Sequence, residues 1–345
     1  SGRPSRWAPL LRDANVTPSE VCRTLIDKAN SLRYSLLVKQ LGGAAMDMLS
    51  SGRVRRWAQV LLVLVVALFF GRAVYDLLPQ VLGYDWVLDP AYLGLAAVLL
   101  LARGPVPVYA WARVLQKLGY VLPWRVSTRA VYYSGLAGFV PGSVWHAVSR
   151  VMLVEREGVP RLVSAVSVGI ESVLVLLAAA IVSSLTLFAW HDAPTWLGLG
   201  LIAGLLVLVA QPGLLFRLLN WVLVRLKRRP LEIRLTARDM LALLWPYLLN
   251  WLIYAAISFA LVAALYPGLP LSSAPVVGGL FTASWVAGYL AVFVPQGLVV
   301  REFFIVGLLT TLVGVPPPIA AAAALLSRAW SMLGIALWAG IASRL

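Results

Sequence analysis

The sequence predicts an all-α polytopic membrane protein, with six spanning helices and two Pro/Gly-broken re-entrant hairpins in an inverted-topology repeat. Three observations predict it. Hydrophobic residues make up 61% of the 345 and charged residues only 12%, against about 25% charged in a soluble domain. The apolar residues gather in runs of about 20, enough to cross a bilayer. The basic residues, which give a net charge of +15, fall mainly between those runs, as the positive-inside rule expects. That placement argues against nucleic acid as the partner of the excess charge. One cysteine, Cys22, leaves no disulfide framework and no cysteine metal site.

Residues 1–56 stand apart. They hold ten Lys/Arg and four Asp/Glu. Thr17-Pro18-Ser19-Glu20 reads as a helix start. Val21, Leu25, Ala29, Leu32 and Leu36 then recur at helical spacing, so 19–41 is expected to form an amphipathic helix on the cytoplasmic side. It lies on the membrane surface, docks on the bundle, or is the tail of a soluble domain of a longer chain.

Six spans follow at 57–82, 91–117, 161–189, 195–216, 239–265 and 317–343. Two further apolar stretches fit no single span. Residues 126–154 are interrupted at Phe139-Val140-Pro141-Gly142-Ser143, and residues 272–313 at Phe293-Val294-Pro295-Gln296-Gly297. Each divides into two arms, several of them short for a full span, around Pro141 and Gly142 or Pro295 and Gly297. Broken backbone at membrane depth is tolerated only inside protein or beside a water-filled cavity.

Loops 117–129, 150–161 and 217–238 carry three, three and seven Lys/Arg, while 83–90, 190–194 and 266–274 carry none. The first set is therefore assigned to the cytoplasm, together with both termini, in a multi-pass protein of the cytoplasmic (inner) membrane. Trp57, Trp86, Trp190, Trp196 and Trp245 fall near span ends, where interfacial anchors belong. The run Arg225-Leu226-Lys227-Arg228-Arg229 suits anionic inner-leaflet lipid.

The two broken segments resemble each other. Both begin Phe-Val-Pro and close Gly-Val-Pro, with 16 residues between in the first and 18 in the second. Each is followed by a span with a charge near its middle. Glu171 lies 11 residues past Pro160, and Arg328 lies 12 past Pro316. The topology makes the repeat inverted, dividing the membrane part into halves 57–189 and 195–343. Inverted repeats with Pro-interrupted segments at matching positions point to a transporter with a midplane site.

The order Pro-Gly, then Arg, then Gly-Val-Pro, then a span Glu resembles the transmembrane region of lysylphosphatidylglycerol synthases and related stand-alone flippase-like membrane proteins. The second half adds a Pro-x-Gly-x-x-x-Arg-Glu string at Pro295, Gly297, Arg301 and Glu302, and a late Arg328. The resemblance covers about residues 55–343. Two positions depart from it: Gln296 stands where such proteins usually have Gly, and Ser172 follows Glu171 where an Arg is common. The resemblance implies movement of a lipid with an anionic, aminoacylated or glycosylated headgroup between leaflets. The aminoacyl-transfer domain of the synthases has no counterpart in this sequence.

Ionisable residues inside a bilayer usually mark a pathway or a partner. The candidate headgroup-binding set is Arg301, Glu302, Arg328, Glu171, Arg103, Arg150 and His146. Arg301 and Arg328 can bind phosphate bidentately. Arg301 and Glu302 can also neutralise each other. Glu171 and Arg328, at matching depths, can pair across the pseudo-symmetry axis. Arg103, midway along its span before Gly104-Pro105, faces phosphate or a break-exposed carbonyl. Arg150 reaches the cytoplasmic water, where it captures a headgroup or snorkels, and His146 carries a proton, meets a headgroup or packs. Arg72 and Asp76 form a structural pair, and Asn250 serves as interhelical glue.

No HExxH, P-loop or GxSxG motif is present, so no enzyme activity, metal or cofactor is expected. The expected partners are membrane lipids, anionic or of polyprenyl or glycolipid type, and a lipid-modifying enzyme. Two other readings stand beside the flippase. One is a scaffold or accessory domain of a lipid-modifying enzyme or glycosyltransferase. The other is an intramembrane transferase using Glu171 or Glu302 as base.

Overall fold

The computed structural model describes residues 83–84, 86–138, 145–186, 236–291, 297 and 299–345, with isolated positions at 203–204 and 213. The amphipathic segment 19–41, the spans expected at 57–82 and 195–216, the Arg72–Asp76 pair, Trp57, Trp190, Trp196 and the basic run at 225–229 lie outside the described residues. So do Pro141, Gly142 and Pro295.

Every described element is helical: α1 (Pro90–Arg103), α2 (Pro105–Lys117), α3 (Trp124–Ala137), α4 (Trp145–Glu155), α5 (Arg161–Ser183), α6 (Ala237–Leu265), α7 (Ala274–Leu290), α8 (Val300–Leu308) and α9 (Pro317–Arg344). Among the described residues, five stretches are long and apolar enough to cross a membrane: Pro90–Lys117, Arg161–Ser183, Ala237–Leu265, Leu271–Leu290 and Pro317–Arg344. Four coincide with expected spans. The fifth is the first arm of the second broken segment, which at 20 residues is long enough to cross by itself.

The span at 90–117 is kinked rather than straight. Pro105 has no N–H to give the carbonyl of Leu101, which accepts from the Gly104 amide instead at 3.2 Å. The Trp338 indole of α9 lies against Gly104, where an added Cβ would fall 1.7 Å from a ring atom. Trp338 also stacks on Tyr132 of α3, with centroids 5.8 Å apart. The Tyr132 hydroxyl donates to the Gly104 carbonyl at 2.5 Å.

Helix ends are satisfied locally. The Thr236 hydroxyl accepts from the Asp239 amide and the Asp239 carboxylate accepts from the Thr236 amide, a capping box that starts α6. The Asp89 carboxylate caps α1 by accepting from the Ala91 amide at 2.8 Å. Arg125 and Arg129 of α3 donate to the backbone oxygens of Leu345 and Ala342, tying α3 to α9.

The repeated Gly-Val-Pro forms the same turn twice. Gly158 has φ +84° and Gly314 φ +74°, a conformation that favours glycine. The following Val159 and Val315 are buried, and each donates its amide back to the preceding helical segment. Pro160 and Pro316 then lead into α5 and α9 with nearly equal ψ, 140° in both. The sequence match between the segments is thus also a match of local backbone.

Helix α6 runs through the centre, packed against α1, α2, α5, α7 and α9. It is buried along most of its length, so its one face can carry groups to several neighbours. Within the first broken segment, α3 packs on α4, and α4 packs on α5. Within the second, α7 packs on α8, and α8 on α9. At 14 residues, α3 rises only about 21 Å and falls short of a hydrocarbon core about 30 Å thick.

Candidate functional site

Arg150 of α4 points into the bundle and is 2% exposed. Its Nη1 donates to Oε2 of Glu171 on α5. Its Nε donates to the Ser134 hydroxyl of α3 at 3.0 Å. Its Nη2 lies 3.0 Å from Nε2 of His146, one turn earlier on α4. A guanidinium nitrogen can only donate, so His146 accepts at Nε2 and carries its proton on Nδ1. The guanidinium also lies over the Trp111 ring of α2, 5.1 Å from its centroid. Arg150 therefore neither reaches water nor snorkels. Ser134, Trp111, His146 and Glu171 take up its plane, its face and its charge.

A second group forms around α8. Glu302 accepts from Arg328 Nη1 of α9 at 2.6 Å and from the Val299 amide at 2.8 Å. The latter contact holds Val299 at φ +76°, a region that costs a β-branched residue strain. Arg301, next in the chain, turns the other way. Its Nη2 donates to the Tyr254 hydroxyl of α6 at 2.9 Å and to the Ser327 hydroxyl of α9 at 3.1 Å. Its Nε is buried without a partner among the described residues.

Arg103, the last residue of α1, completes the group. Its Nε donates to the Asn250 side chain of α6 at 2.9 Å. Its guanidinium lies 5.2 Å from the centroid of the Tyr254 ring, and that of Arg301 lies 5.9 Å from the same centroid. Tyr254 thus carries two guanidiniums. Neither Arg103 nor Arg301 has a carboxylate in ion-pair range among the described residues. Three arginines stand against one carboxylate, which leaves a local excess of two positive charges.

The expected residues are therefore placed in two groups, not one. Arg150, His146 and Glu171 form the first, and Arg301, Glu302, Arg328 and Arg103 the second. The proposed pairing of Glu171 with Arg328 does not occur, nor does Glu302 neutralise Arg301. Each carboxylate takes the arginine offered by the helix packed beside it. Both ion pairs join the second arm of a broken segment to the span that follows, with the signs exchanged. Along α6, Tyr247 lies in the field of Glu171 and Arg150, while Tyr254 holds Arg301. Seven residues of helix separate the two tyrosines by about 10 Å.

The sequence reading missed Tyr254, Ser327, Ser134 and Trp111. A signal was available for the aromatics: Tyr254 and Trp111 lie well inside their spans, away from the interfacial belts where such residues usually sit. Ser327 and Ser134 carried no signal, since buried serines commonly serve only their own helix.

Gly297 serves the second group sterically. At φ +60° its Cα faces Gly288 of α7, and a Cβ there would fall 2.4 Å from the Gly288 Cα. The close approach of two backbones sets α8 against α7. Among the described residues, no three His, Cys, Asp or Glu side chains gather to hold a metal ion.

A multi-pass α-helical membrane protein with paired and unpaired charges buried between its spans is the class that this fold and site define. The family model described as lysylphosphatidylglycerol synthase TM region matches residues 56–339. The chain belongs to that family. No curated protein matches the chain.

Proposed function

We propose that the chain is a flippase-like lipid transporter. It moves a lipid with an anionic headgroup between the leaflets of the cytoplasmic membrane. The observation that carries this reading is the pair Arg103 and Arg301, two guanidiniums on Tyr254 with no carboxylate among the described residues. A charge in the bilayer centre costs about 2.5–3.5 kcal/mol on insertion scales. A lipid phosphate arriving between the two arginines removes that cost and takes up the free Nε of Arg301. Guanidinium and phosphate match in geometry as well as charge.

In this reading the two broken segments are the moving parts and the exchanged ion pairs are their locks. Opening one half separates Arg150 from Glu171, and opening the other separates Glu302 from Arg328. The headgroup passes along the polar face of α6 while the acyl chains stay in lipid, so only the headgroup is desolvated. Membership of the lysylphosphatidylglycerol synthase family supports a lipid as cargo.

Reconstitution tests the proposal. Purified protein in liposomes, with fluorescent phosphatidylglycerol and a membrane-impermeant quencher, is expected to speed leaflet exchange well above empty vesicles. Exchange at the empty-vesicle rate over a panel of anionic lipids, with pH gradients of both directions, contradicts it. A covalently altered lipid would identify a transferase instead.

A further inference from the structure

The arginine pair adjoins a continuous row of aromatic rings that charge capture alone does not require. From Tyr254 the row runs to Trp251, with centroids 5.3 Å apart. It continues to Trp285 of α7 at 4.7 Å and ends at Tyr289, stacked on Trp285 at 5.0 Å with 19° between planes. Trp251 is buried, and its indole N–H donates to the Val175 carbonyl at 3.0 Å. Trp285 is half-buried and Tyr289 is 44% exposed. The row therefore opens from the interior towards the surface.

Row and arginine meet at two points. Tyr254 accepts from Arg301 at 2.9 Å. Gly288, between Trp285 and Tyr289, lies so close to α8 that a Cβ there would be 3.3 Å from the Arg301 Cβ. The buried Nε of Arg301 still lacks a partner among the described residues. A ligand that satisfies this nitrogen lies by the Tyr254 ring, 5.9 Å from the Arg301 guanidinium, where the row begins.

We propose that the ligand of this site is a sugar phosphate: a phosphoryl group held by Arg103 and Arg301, carrying a neutral polyol ring that stacks on the face of Trp285 turned away from Tyr289. The proposal rests on the transport reading for its lipid-linked form. A pyranose presents C–H groups on its flat side, and these fit the electron-rich face of an indole or phenol. The alternative cargo, an aminoacylated headgroup, brings ammonium groups. Aromatic faces also attract cations, but here the row begins at a ring that already carries two guanidiniums of the same sign. The two carboxylates buried among the described residues, Glu171 and Glu302, are held by Arg150 and Arg328. A neutral ring avoids that repulsion, which is strong where the dielectric is low.

The test is equilibrium binding to the full chain in nanodiscs with four probes. These are undecaprenyl phosphoglucose, soluble glucose 1-phosphate, phosphatidic acid and lysylphosphatidylglycerol. The expected result is that a glucose phosphate binds at least about fivefold tighter than phosphatidic acid, the scale of one aromatic contact. Trp285→Ala is expected to erase that preference while leaving phosphatidic acid binding unchanged. Should Trp285→Ala not fold, Trp285→Leu keeps bulk without a π face and serves the same comparison. Lysylphosphatidylglycerol binding as tightly as either glucose phosphate overturns the inference and leaves lipid transport standing. A preference that survives loss of the indole, or a variant that weakens all four probes equally, also overturns it. Binding of the soluble probe alone supports the sugar phosphate site and contradicts the lipid-transport reading. Binding of the lipid-linked probe supports both.

Discussion

Glu302 holds Arg328 at 2.6 Å, and its chain neighbour Arg301 has only hydroxyl hydrogen-bond partners among the described residues. Arg301 remains an available cation because Arg328 occupies the carboxylate. Replacing Arg328 by Met would release Glu302 to capture Arg301. Leaflet exchange in proteoliposomes is then expected to fall about tenfold or more, and Glu302→Gln in the same chain is expected to restore part of it. Equal losses in the single and double variants would show that Arg328 itself, not its hold on Glu302, matters.

The pair between Arg150 and Glu171 is structural in its resting state. Glu171→Gln leaves a buried guanidinium uncompensated and is expected to cost about 3–5 kcal/mol, read as a lowered midpoint of thermal unfolding in detergent. The double variant Arg150→Met, Glu171→Leu removes both charges and is expected to be more stable than either single variant. Additive losses would refute a direct pairing.

Tyr254→Phe removes the oxygen that accepts from Arg301 but keeps the ring beneath Arg103. Stability is expected to change by about 1 kcal/mol, the scale of one hydrogen bond, while lipid exchange slows severalfold. A rate unchanged from wild type would detach Tyr254 from the transport step.

Gly297→Ala places a methyl 2.4 Å from the Gly288 Cα, where the three nearest atoms are all Gly288 backbone, and does so at φ +60°. The expected cost is about 2 kcal/mol or more. Gly307→Ala on the same segment meets open space and is expected to be neutral or slightly stabilising. Thermal unfolding of the two variants side by side checks the contrast.

Much of the frame was legible because its signals are local. Apolar runs gave the spans at 91–117, 161–189, 239–265 and 317–343 to within a few residues. The repeated Gly-Val-Pro foretold a matching turn at Gly158 and Gly314. Pairings were not legible, because they depend on which helix packs beside which. Glu171 and Arg328 sit at matching sequence depths, yet each meets the arm packed next to it, α4 or α8, before it could meet the other. The kink at Gly104 was signalled by Pro105, but the Trp338 ring that fills it comes from α9, more than 200 residues away. Tyr254 stayed hidden for the same reason: its role exists only where α1, α6 and α8 converge.

The most direct test is a density map of the protein in nanodiscs containing anionic lipid, at a resolution that separates phosphate from water. A phosphate-sized feature within hydrogen-bonding distance of both Arg103 and Arg301, above the Tyr254 ring, is the predicted result. Density confined to the annular lipid shell, with both guanidiniums closed by protein carboxylates, would contradict the account.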